Sequence, residues 1–183
     1  MSTQGFALFE TPVGTCGIAW SPRGIAGLQL PEPSERATRA RVQRRWPAAI
    51  EAPPPPGVQR ALDRIQTLLK GEPVDLQDIP LDLDGVPDFN RQVYEVARAI
   101  PPGQTLTYGE IAKRMGVPHE AREVGQALGR NPVAIIVPCH RVLAADGKMG
   151  GFSANGGVAT KRRMLEIEGA AALGAGPLFD RRP

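Results

Sequence analysis

Two short helical segments with only a tight link between them occupy the middle of the second half of the chain. Thr107 and Glu110 lie three residues apart and form a capping box, which predicts the start of the first segment. This helix is predicted to run through residue 115 and to stop at Gly116. The second helix is predicted over residues 120–129, before an Asn-Pro pair. Two such helices are typical of a helix-turn-helix motif.

The second of these helices has one apolar face and one unusual exposed face. Glycine in an exposed helix costs roughly 1 kcal/mol relative to alanine. Two glycines beside an arginine therefore indicate that a partner approaches the helix backbone closely, and tight packing of another helix is the alternative. The apolar face is formed by Ala121, Val124 and Leu128, and the exposed face by Arg122, Gly125, Gln126 and Gly129.

The first half of the chain shows strand patterns followed by helical ones. Apolar side chains alternate over residues 16–20, and a second apolar run spans residues 25–30, which together predict a small antiparallel sheet. A basic helix is predicted at residues 36–46. The proline run at residues 53–57 predicts a stiff extended loop, and an amphipathic helix that ends at Gly71 follows it.

These elements predict a mixed α/β fold in two parts. Residues 1–86 form an N-terminal α/β domain, residues 87–169 form a mainly helical domain with the helix-turn-helix, and residues 170–183 form a flexible tail. Residues 1–88 hold nine basic and eleven acidic side chains, whereas residues 89–169 hold eleven basic and seven acidic ones. The positive charge in the second part indicates an anionic partner.

The residue counts exclude several classes of protein. Cys16 and Cys139 lie far apart and cannot form the disulfide framework of a small secreted domain. Two cysteines and two histidines are too few for a structural zinc site built from those ligands. No apolar run reaches the roughly 18 residues of a membrane span, and the N-terminus lacks the features of a signal peptide. A cytoplasmic protein with no metal and no membrane partner is expected.

A candidate reactive centre follows the apolar run at residues 134–137, which predicts a buried strand or extended segment. A thiol becomes nucleophilic only as a thiolate, so Cys139 needs a neighbouring base or positive charge. His140 and Arg141 come next, but adjacent side chains in an extended segment point apart. A bridging water is therefore an alternative to direct contact. A cysteine that is merely a small buried residue is the other interpretation, and it is the one we predict for Cys16.

The sequence downstream supplies further candidates. Residues 147–157 form a glycine-dense loop around Phe152 and Ser153, whose backbone N–H groups could donate to a ligand oxygen. An ordinary surface loop is the alternative. A helix with a glycine stop follows, and its Glu168 could be the carboxylate that orients His140 in a nucleophile–base–orienter set.

Several motifs follow one another across residues 89–169. They are Thr107-Tyr108-Gly109-Glu110, Ala121-Arg122-Glu123-Val124-Gly125, Asn131-Pro132, Pro138-Cys139-His140-Arg141-Val142, Gly156-Gly157, Lys161 and Glu168-Gly169. In these motifs and their order the chain resembles the O6-alkylguanine-DNA alkyltransferases. The resemblance implies a ribonuclease-H-like N-terminal domain and a winged-helix-like C-terminal domain. It also implies DNA repair by irreversible transfer of an alkyl group from guanine O6, and from thymine O4, without a cofactor.

The resemblance implies catalytic roles for particular residues. Cys139 accepts the alkyl group, and a single molecule acts once. His140 is the base that acts through water, and Glu168 orients it. Asn131 braces the turn that holds the cysteine, and Tyr108 is one route by which the leaving guanine oxygen obtains a proton.

DNA contacts are implied in the same way. The partner is double-stranded DNA with an alkylated guanine, and the second helix of the helix-turn-helix lies in its minor groove. Tyr108 contacts the flipped nucleotide and its 3′ phosphate, and Arg122 enters the base stack to hold the gap. Gly125 and Gly129 allow close approach, and Arg141 is included among the DNA contacts. The protein is expected to be a monomer that could assemble cooperatively on DNA.

The substrate pocket is where the chain departs from the family pattern. The carbonyl groups of Cys139 and Val142 are expected to read the guanine amino group, and Ser153 is expected to face O6. Family members commonly have tyrosine at the position of Phe152, and the loop at residues 153–156 is two residues longer than usual. The range of adducts is therefore left open.

Two other functions compete with alkyl transfer. One is a helix-turn-helix module that binds alkylated bases without transferring the alkyl group. The other is a thiol hydrolase that uses Cys139 and His140. The exposed helix face with Arg122 and two glycines argues against the hydrolase, which has no need of such a surface.

Overall fold

The first part of the chain folds into a four-stranded sheet with helices packed on it, so the predicted mixed α/β fold is confirmed. The structure is a computed structural model that describes residues 3–147, 149 and 157–170. The strands are β1 (Gly5–Thr11), β2 (Gly14–Ser21), β3 (Gly24–Gln29) and β4 (Ile50–Glu51), and the first helices are α1 (Glu35–Arg45) and α2 (Pro56–Leu69). The strand order is β3-β2-β1-β4, with β4 parallel to β1 and the other pairs antiparallel.

Different helices cover the two faces of this sheet. Cys16 is fully buried in the core that includes α2, so the prediction that it is a core residue is confirmed. On the other face Ala19 packs with Val42 of α1. Gly27 permits this close approach, because a Cβ atom there would lie 1.8 Å from the ring of Trp46.

The structure corrects the prediction for residues 53–57. Pro56 and Gly57 belong to the first turn of α2, so the extended loop ends at Pro55. Proline suits the first position of a helix because its missing N–H would have no partner there. The strand β4 has no counterpart among the predictions, since two residues are too few to show an alternating pattern.

The second part of the chain is mainly helical, as predicted. Its elements are α3 (Asp88–Arg98), β5 (Leu106–Thr107), α4 (Tyr108–Arg114), α5 (Ala121–Gly129), a 3-10 turn (Cys139–Arg141), β6 (Val142–Leu143) and α6 (Val158–Ile167). The predicted capping box is present, since Thr107 Oγ1 accepts from Glu110 N–H at 3.1 Å and Glu110 Oε2 accepts from Thr107 N–H at 2.7 Å. Gly116 follows α4 with φ +79°, and α5 comes next to complete the helix-turn-helix.

The apolar run at residues 134–137 is a tight turn and not the predicted strand or extended segment. Val137 N–H donates to Val133 O at 2.9 Å and closes the turn. Ile135 has φ +74°, a left-handed conformation that a β-branched residue rarely adopts. The predicted burial is confirmed for the three largest side chains of the run.

Contacts between the two parts place the sheet beside this turn. Leu28 N–H in β3 donates to Pro132 O at 2.9 Å, and a single buried core extends over both parts. Within the second part, β5 pairs in parallel with β6. This short pairing joins the start of α4 to the residues that follow Cys139.

Three further predictions concern membrane spans, the C-terminal tail and the domain boundary. None of the helices in residues 3–147 and 157–170 has the length and apolar character needed to cross a membrane. The predicted tail at residues 170–183 lies outside the described residues except for Ala170. The division into domains at residue 86 stays a prediction.

Candidate active site and DNA-binding surface

The amide side chain of Asn131 holds the turn that leads to Cys139. Asn131 Nδ2 donates to Val137 O at 2.8 Å, and Asn131 Oδ1 accepts from Val133 N–H at 2.9 Å. One side chain therefore ties both ends of the turn that contains Ile135. Such bonds offset the strain of an unusual backbone conformation, which is of order 1–3 kcal/mol.

Cys139 is half-buried at the first position of the 3-10 turn. Burial raises the pKa of its thiol, whereas the Asn131 side chain and the positive charge of Lys161 act in the opposite direction. The net effect is a pKa above the ordinary value, so the thiol is protonated near neutral pH. Cys139 therefore needs a base before it can act as a nucleophile.

Glu168 gathers His140 and Arg141 into a buried cluster. His140 Nε2 lies 3.1 Å from Glu168 Oε2, and each of these two side chains is only 1% exposed. Arg141 donates from Nε to Glu168 Oε1 at 2.9 Å and from a terminal nitrogen to Oε2 at 2.6 Å. Burial alone would raise the pKa of Glu168, but His140 and Arg141 hold it at about 2. Glu168 is therefore a carboxylate at neutral pH.

His140 is consequently set up as a neutral base. Burial lowers the pKa of His140, and the charge of Glu168 opposes this only in part. A carboxylate can only accept hydrogen bonds, so Nε2 of His140 carries the proton that it donates to Glu168. Nδ1 then keeps its lone pair, and this buried atom has no hydrogen-bond partner among the described residues. It is the nitrogen that can receive a proton.

The prediction that Arg141 contacts DNA is wrong for its side chain. Arg141 is 5% exposed, and it donates a further hydrogen bond to Ile100 O at 2.6 Å. A buried carboxylate such as Glu168 needs a paired cation, because an isolated charge in the interior is strongly unfavourable. Arg141 meets that need and holds Glu168 in position for His140.

Tyr108 and Lys161 complete the surroundings of the thiol. Tyr108 is half-buried at the start of α4. Its burial raises the pKa of its hydroxyl, and the nearby Cys139 raises it further. Lys161 in α6 is fully buried, and its Nζ donates to Val142 O and lies 5.9 Å from the centroid of the Tyr108 ring. Burial lowers the pKa of Lys161 to about 8, which still leaves it largely protonated at pH 7.

The two carbonyl groups expected to read guanine already carry one hydrogen bond each. Cys139 O accepts from Val142 N–H, and Val142 O accepts from Lys161. A carbonyl oxygen has two lone pairs, so a single hydrogen bond does not exhaust its capacity to accept. The other two predicted pocket residues, Phe152 and Ser153, lie outside the described residues.

The exposed face of α5 is present as predicted. Arg122, Gln126 and Gly129 are exposed, and Gly125 is half-buried. A Cβ atom on Gly125 would lie 3.8 Å from the Tyr108 ring, and one on Gly129 would meet nothing within 4 Å. Among the described residues, no helix packs tightly against these glycines. Close packing of a helix therefore does not explain either glycine in the part of the chain that the structure describes.

Two residues near the site were assigned no function from the sequence, although Lys161 belongs to one of the motifs. Tyr94 of α3 donates to Ala127 O in α5 at 2.7 Å, and burial raises its pKa to about 12. Lys161 had a signal that could have revealed it, since it shares the buried face of α6 with Met164 and Leu165 at helical spacing. A lysine on an apolar face indicates a special environment.

Comparison with known proteins gives the family. A family model described as 6-O-methylguanine DNA methyltransferase, DNA binding domain, matches residues 88–170. The methylated-DNA–protein-cysteine methyltransferase of Mycobacterium tuberculosis strain H37Rv is 37% identical over 175 residues, which cover 96% of this chain and 98% of that protein. The protein of the same name from Methanothermobacter thermautotrophicus is 35% identical over 163 residues, which cover 89% of this chain and 84% of that protein.

Solved structures agree with these relatives. Mycobacterium tuberculosis OGT in complex with DNA has 36% identity and a TM-score of 0.69, and the match covers 92% of this chain and 96% of that chain. The O6-methylguanine-DNA methyltransferase of Pyrococcus kodakaraensis strain KOD1 has 25% identity and a TM-score of 0.71, with 90% and 99% covered. The likeness covers nearly the whole chain. It therefore defines a class of protein in which a small mixed sheet is followed by a helix-turn-helix and by a turn that carries the cysteine. The chain belongs to the methylated-DNA–protein-cysteine methyltransferase family, and the resemblance predicted from its motifs is confirmed.

Proposed function

We propose that this protein repairs DNA by transferring an alkyl group from O6 of guanine, and from O4 of thymine, to the sulfur of Cys139. The observation that carries the proposal is the placement of Cys139 at the end of a turn braced by Asn131, next in sequence to the buried His140–Glu168 pair. Curated relatives that share most of the chain are named for this reaction. A thioether is stable, so each molecule acts once.

The reaction begins with removal of the thiol proton. His140 Nδ1 receives it through a bridging water, and the carboxylate of Glu168 stabilises the resulting imidazolium from 3.1 Å. The positive charge of Lys161 favours the thiolate of Cys139. The thiolate attacks the alkyl carbon, so a carbon–sulfur bond forms as the carbon–O6 bond breaks.

Guanine O6 leaves with the electron pair of the broken bond and takes a proton. The raised pKa of Tyr108 keeps its hydroxyl protonated at neutral pH, so it can donate this proton. His140 then gives up the proton that it received, and this proton restores the hydroxyl of Tyr108. Over the whole reaction one proton moves from the Cys139 thiol to guanine, and the products are S-alkylcysteine and unmodified guanine.

The alkylated base has to leave the helix before it can reach Cys139. An enzyme that acts on a base inside a duplex extrudes that base and stabilises the gap. We assign the gap to Arg122, which is exposed at the start of α5, with Gly125 and Gly129 allowing the backbone into the minor groove. The protein acts as a monomer, with a ribonuclease-H-like first part and a winged-helix-like second part.

Intact-mass analysis after incubation with duplex DNA that contains O6-methylguanine tests the proposal. We expect each molecule to gain one methyl group, and peptide mapping should locate it on Cys139. Cys139→Ala should abolish the gain, whereas Cys16→Ala should retain it because Cys16 is fully buried with a pKa raised to about 12. Transfer by Cys139→Ala, or binding of the lesion with no change in mass, would refute alkyl transfer to this residue.

A further inference from the structure

A second basic surface adjoins the acceptor site on the side of the N-terminal sheet. A pocket of about 210 Å³ is lined by Cys139 and Asn131 on one side and by residues of β3 and α1 on the other. Three arginines line it as well, namely Arg41 and Arg45 from α1 and Arg130 directly after α5. The pocket therefore lies where the exposed face of α5 ends.

These arginines have no acidic partner among the described residues, which sets them apart from a neighbour on the same helix. Arg39 forms ion pairs with Glu35 at 3.2 Å and with Glu51 at 3.1 Å. Arg41 and Arg45 are four residues apart on α1, where two like charges repel each other. A site for an external anion requires positive charges that the protein does not itself neutralise.

Neutral groups nevertheless hold Arg45 in a defined orientation. A terminal nitrogen of Arg45 donates to Gln29 Oε1 at 2.8 Å, and the buried Gln29 is itself fixed by a bond from Nε2 to Leu30 O at 2.9 Å. The guanidinium lies 4.5 Å from the centroid of the Trp46 ring. An oriented guanidinium with an uncompensated charge is suited to bind phosphate oxygens.

We propose that Arg41 and Arg45 of α1, together with Arg130, bind backbone phosphates of the DNA strand that carries the extruded nucleotide. That strand is the anion that the repair reaction brings to Cys139, and its phosphates flank the base that enters the site. The N-terminal part thus takes a direct part in DNA binding and extends the surface that begins at Arg122. An acidic surface on a second copy of this chain is the competing partner.

The test compares two double variants that remove the same charge from the 183-residue chain. Arg41→Gln/Arg45→Gln removes the proposed contacts. Arg60→Gln/Lys70→Gln removes two exposed charges, one within α2 and one directly after it, and neither residue lines the pocket. Binding of unmodified duplex DNA is measured by fluorescence anisotropy over a range of salt concentrations. Thermal melting followed by circular dichroism verifies that both variants fold.

We expect Arg41→Gln/Arg45→Gln to bind duplex about tenfold more weakly than the control variant. Its slope of log K against log salt should be smaller by about 2, since each lost phosphate contact contributes about 0.9. Arg41→Lys/Arg45→Lys should keep most of the salt slope because it keeps the charges. The reaction with free alkylguanine base, which has no phosphate, should fall far less than transfer from duplex.

Three results would overturn the inference. One is an affinity and salt slope equal to those of the control variant. Another is an equal loss of reaction with free base and with duplex, which would assign the arginines to the acceptor site itself. The third is altered self-association in sedimentation with unchanged DNA affinity. A separate failure of Arg122→Ala to affect duplex repair would count against the α5 surface and not against this one.

Discussion

Glu168 Oε2 accepts hydrogen bonds from both His140 Nε2, at 3.1 Å, and Arg141, at 2.6 Å, although 27 residues separate it from Arg141. The 3-10 turn Cys139–Arg141 allows two consecutive side chains to bind the same carboxylate. The carboxylate is thereby held by a cation on one side and orients the base on the other. Loss of its charge should affect the chemistry, and it should also lower the stability, because Arg141 would be left buried without a paired anion.

The first prediction concerns Glu168→Gln, which keeps the shape of the side chain but removes its charge. We expect the rate of alkyl transfer to fall by a factor of about 10² to 10⁴, the usual contribution of an oriented base. Single-turnover kinetics with methylated duplex measures this rate. Glu166→Gln is the matched control, since Glu166 is exposed on the same helix. An equal rate for both variants would remove Glu168 from the mechanism.

The second prediction concerns the pH dependence of transfer. His140 must be neutral to accept a proton, and burial lowers its pKa below the ordinary value of 6.5. The rate should therefore stay near its pH 7.5 value at pH 6.5 and should decline only at lower pH. The reaction with free alkylguanine base in a His119→Gln background leaves His140 as the one histidine that can titrate, because the chain has two histidines. A half-maximal rate at or above pH 6.5 would contradict a buried neutral base.

The third prediction concerns Arg122→Ala. Unstacking a base costs a few kcal/mol, so loss of a side chain that fills the gap should slow transfer from duplex by about tenfold or more. Free alkylguanine needs no extrusion and should react almost normally. Parallel rate measurements on the two substrates give the ratio, with Arg60→Ala as a charge-matched control. Equal slowing on both substrates would exclude the gap-filling role.

The fourth prediction separates stability from DNA binding at Gly125. A methyl group fits there, at 3.8 Å from the Tyr108 ring, and alanine favours a helix over glycine. Gly125→Ala should therefore raise the free energy of unfolding by about 0.5–1 kcal/mol. It should also weaken duplex binding, because the added carbon stands between the helix backbone and DNA. Urea unfolding and anisotropy measure the two effects, and unchanged affinity would mean that close approach is not needed.

The fifth prediction concerns the brace at Asn131. Asn131→Ala leaves the buried Val133 N–H without its partner and frees the turn around Ile135. We expect a loss of roughly 1–3 kcal/mol in the free energy of unfolding. Asn131→Asp keeps the acceptor for Val133, so it should recover part of the stability while its negative charge slows thiolate formation. Denaturant unfolding and transfer rates distinguish these effects, and wild-type stability of Asn131→Ala would show that the brace is dispensable.

Much of the second part could be predicted because its signals are local. The Thr107–Glu110 capping box and the stop at Gly116 depend on residues within a single turn. The exposed face with Arg122 follows from the period of one helix. The position of Cys139 directly after an apolar run could likewise be seen in the sequence, whereas its neighbours Tyr108 and Lys161 could not.

The tertiary structure alone decided the features that depend on distant partners. The positive φ of Ile135 is maintained by Asn131 and by contact with β3, so the apolar run becomes a turn although its composition suits a strand. From its sequence context Arg141 would be expected at the surface, but it is buried because it pairs with the carboxylate of Glu168. Charge pairing and backbone strain depend on which distant residues the fold places within a few ångströms. Capping and helical spacing are settled within a few residues, and the sequence therefore determines those by itself.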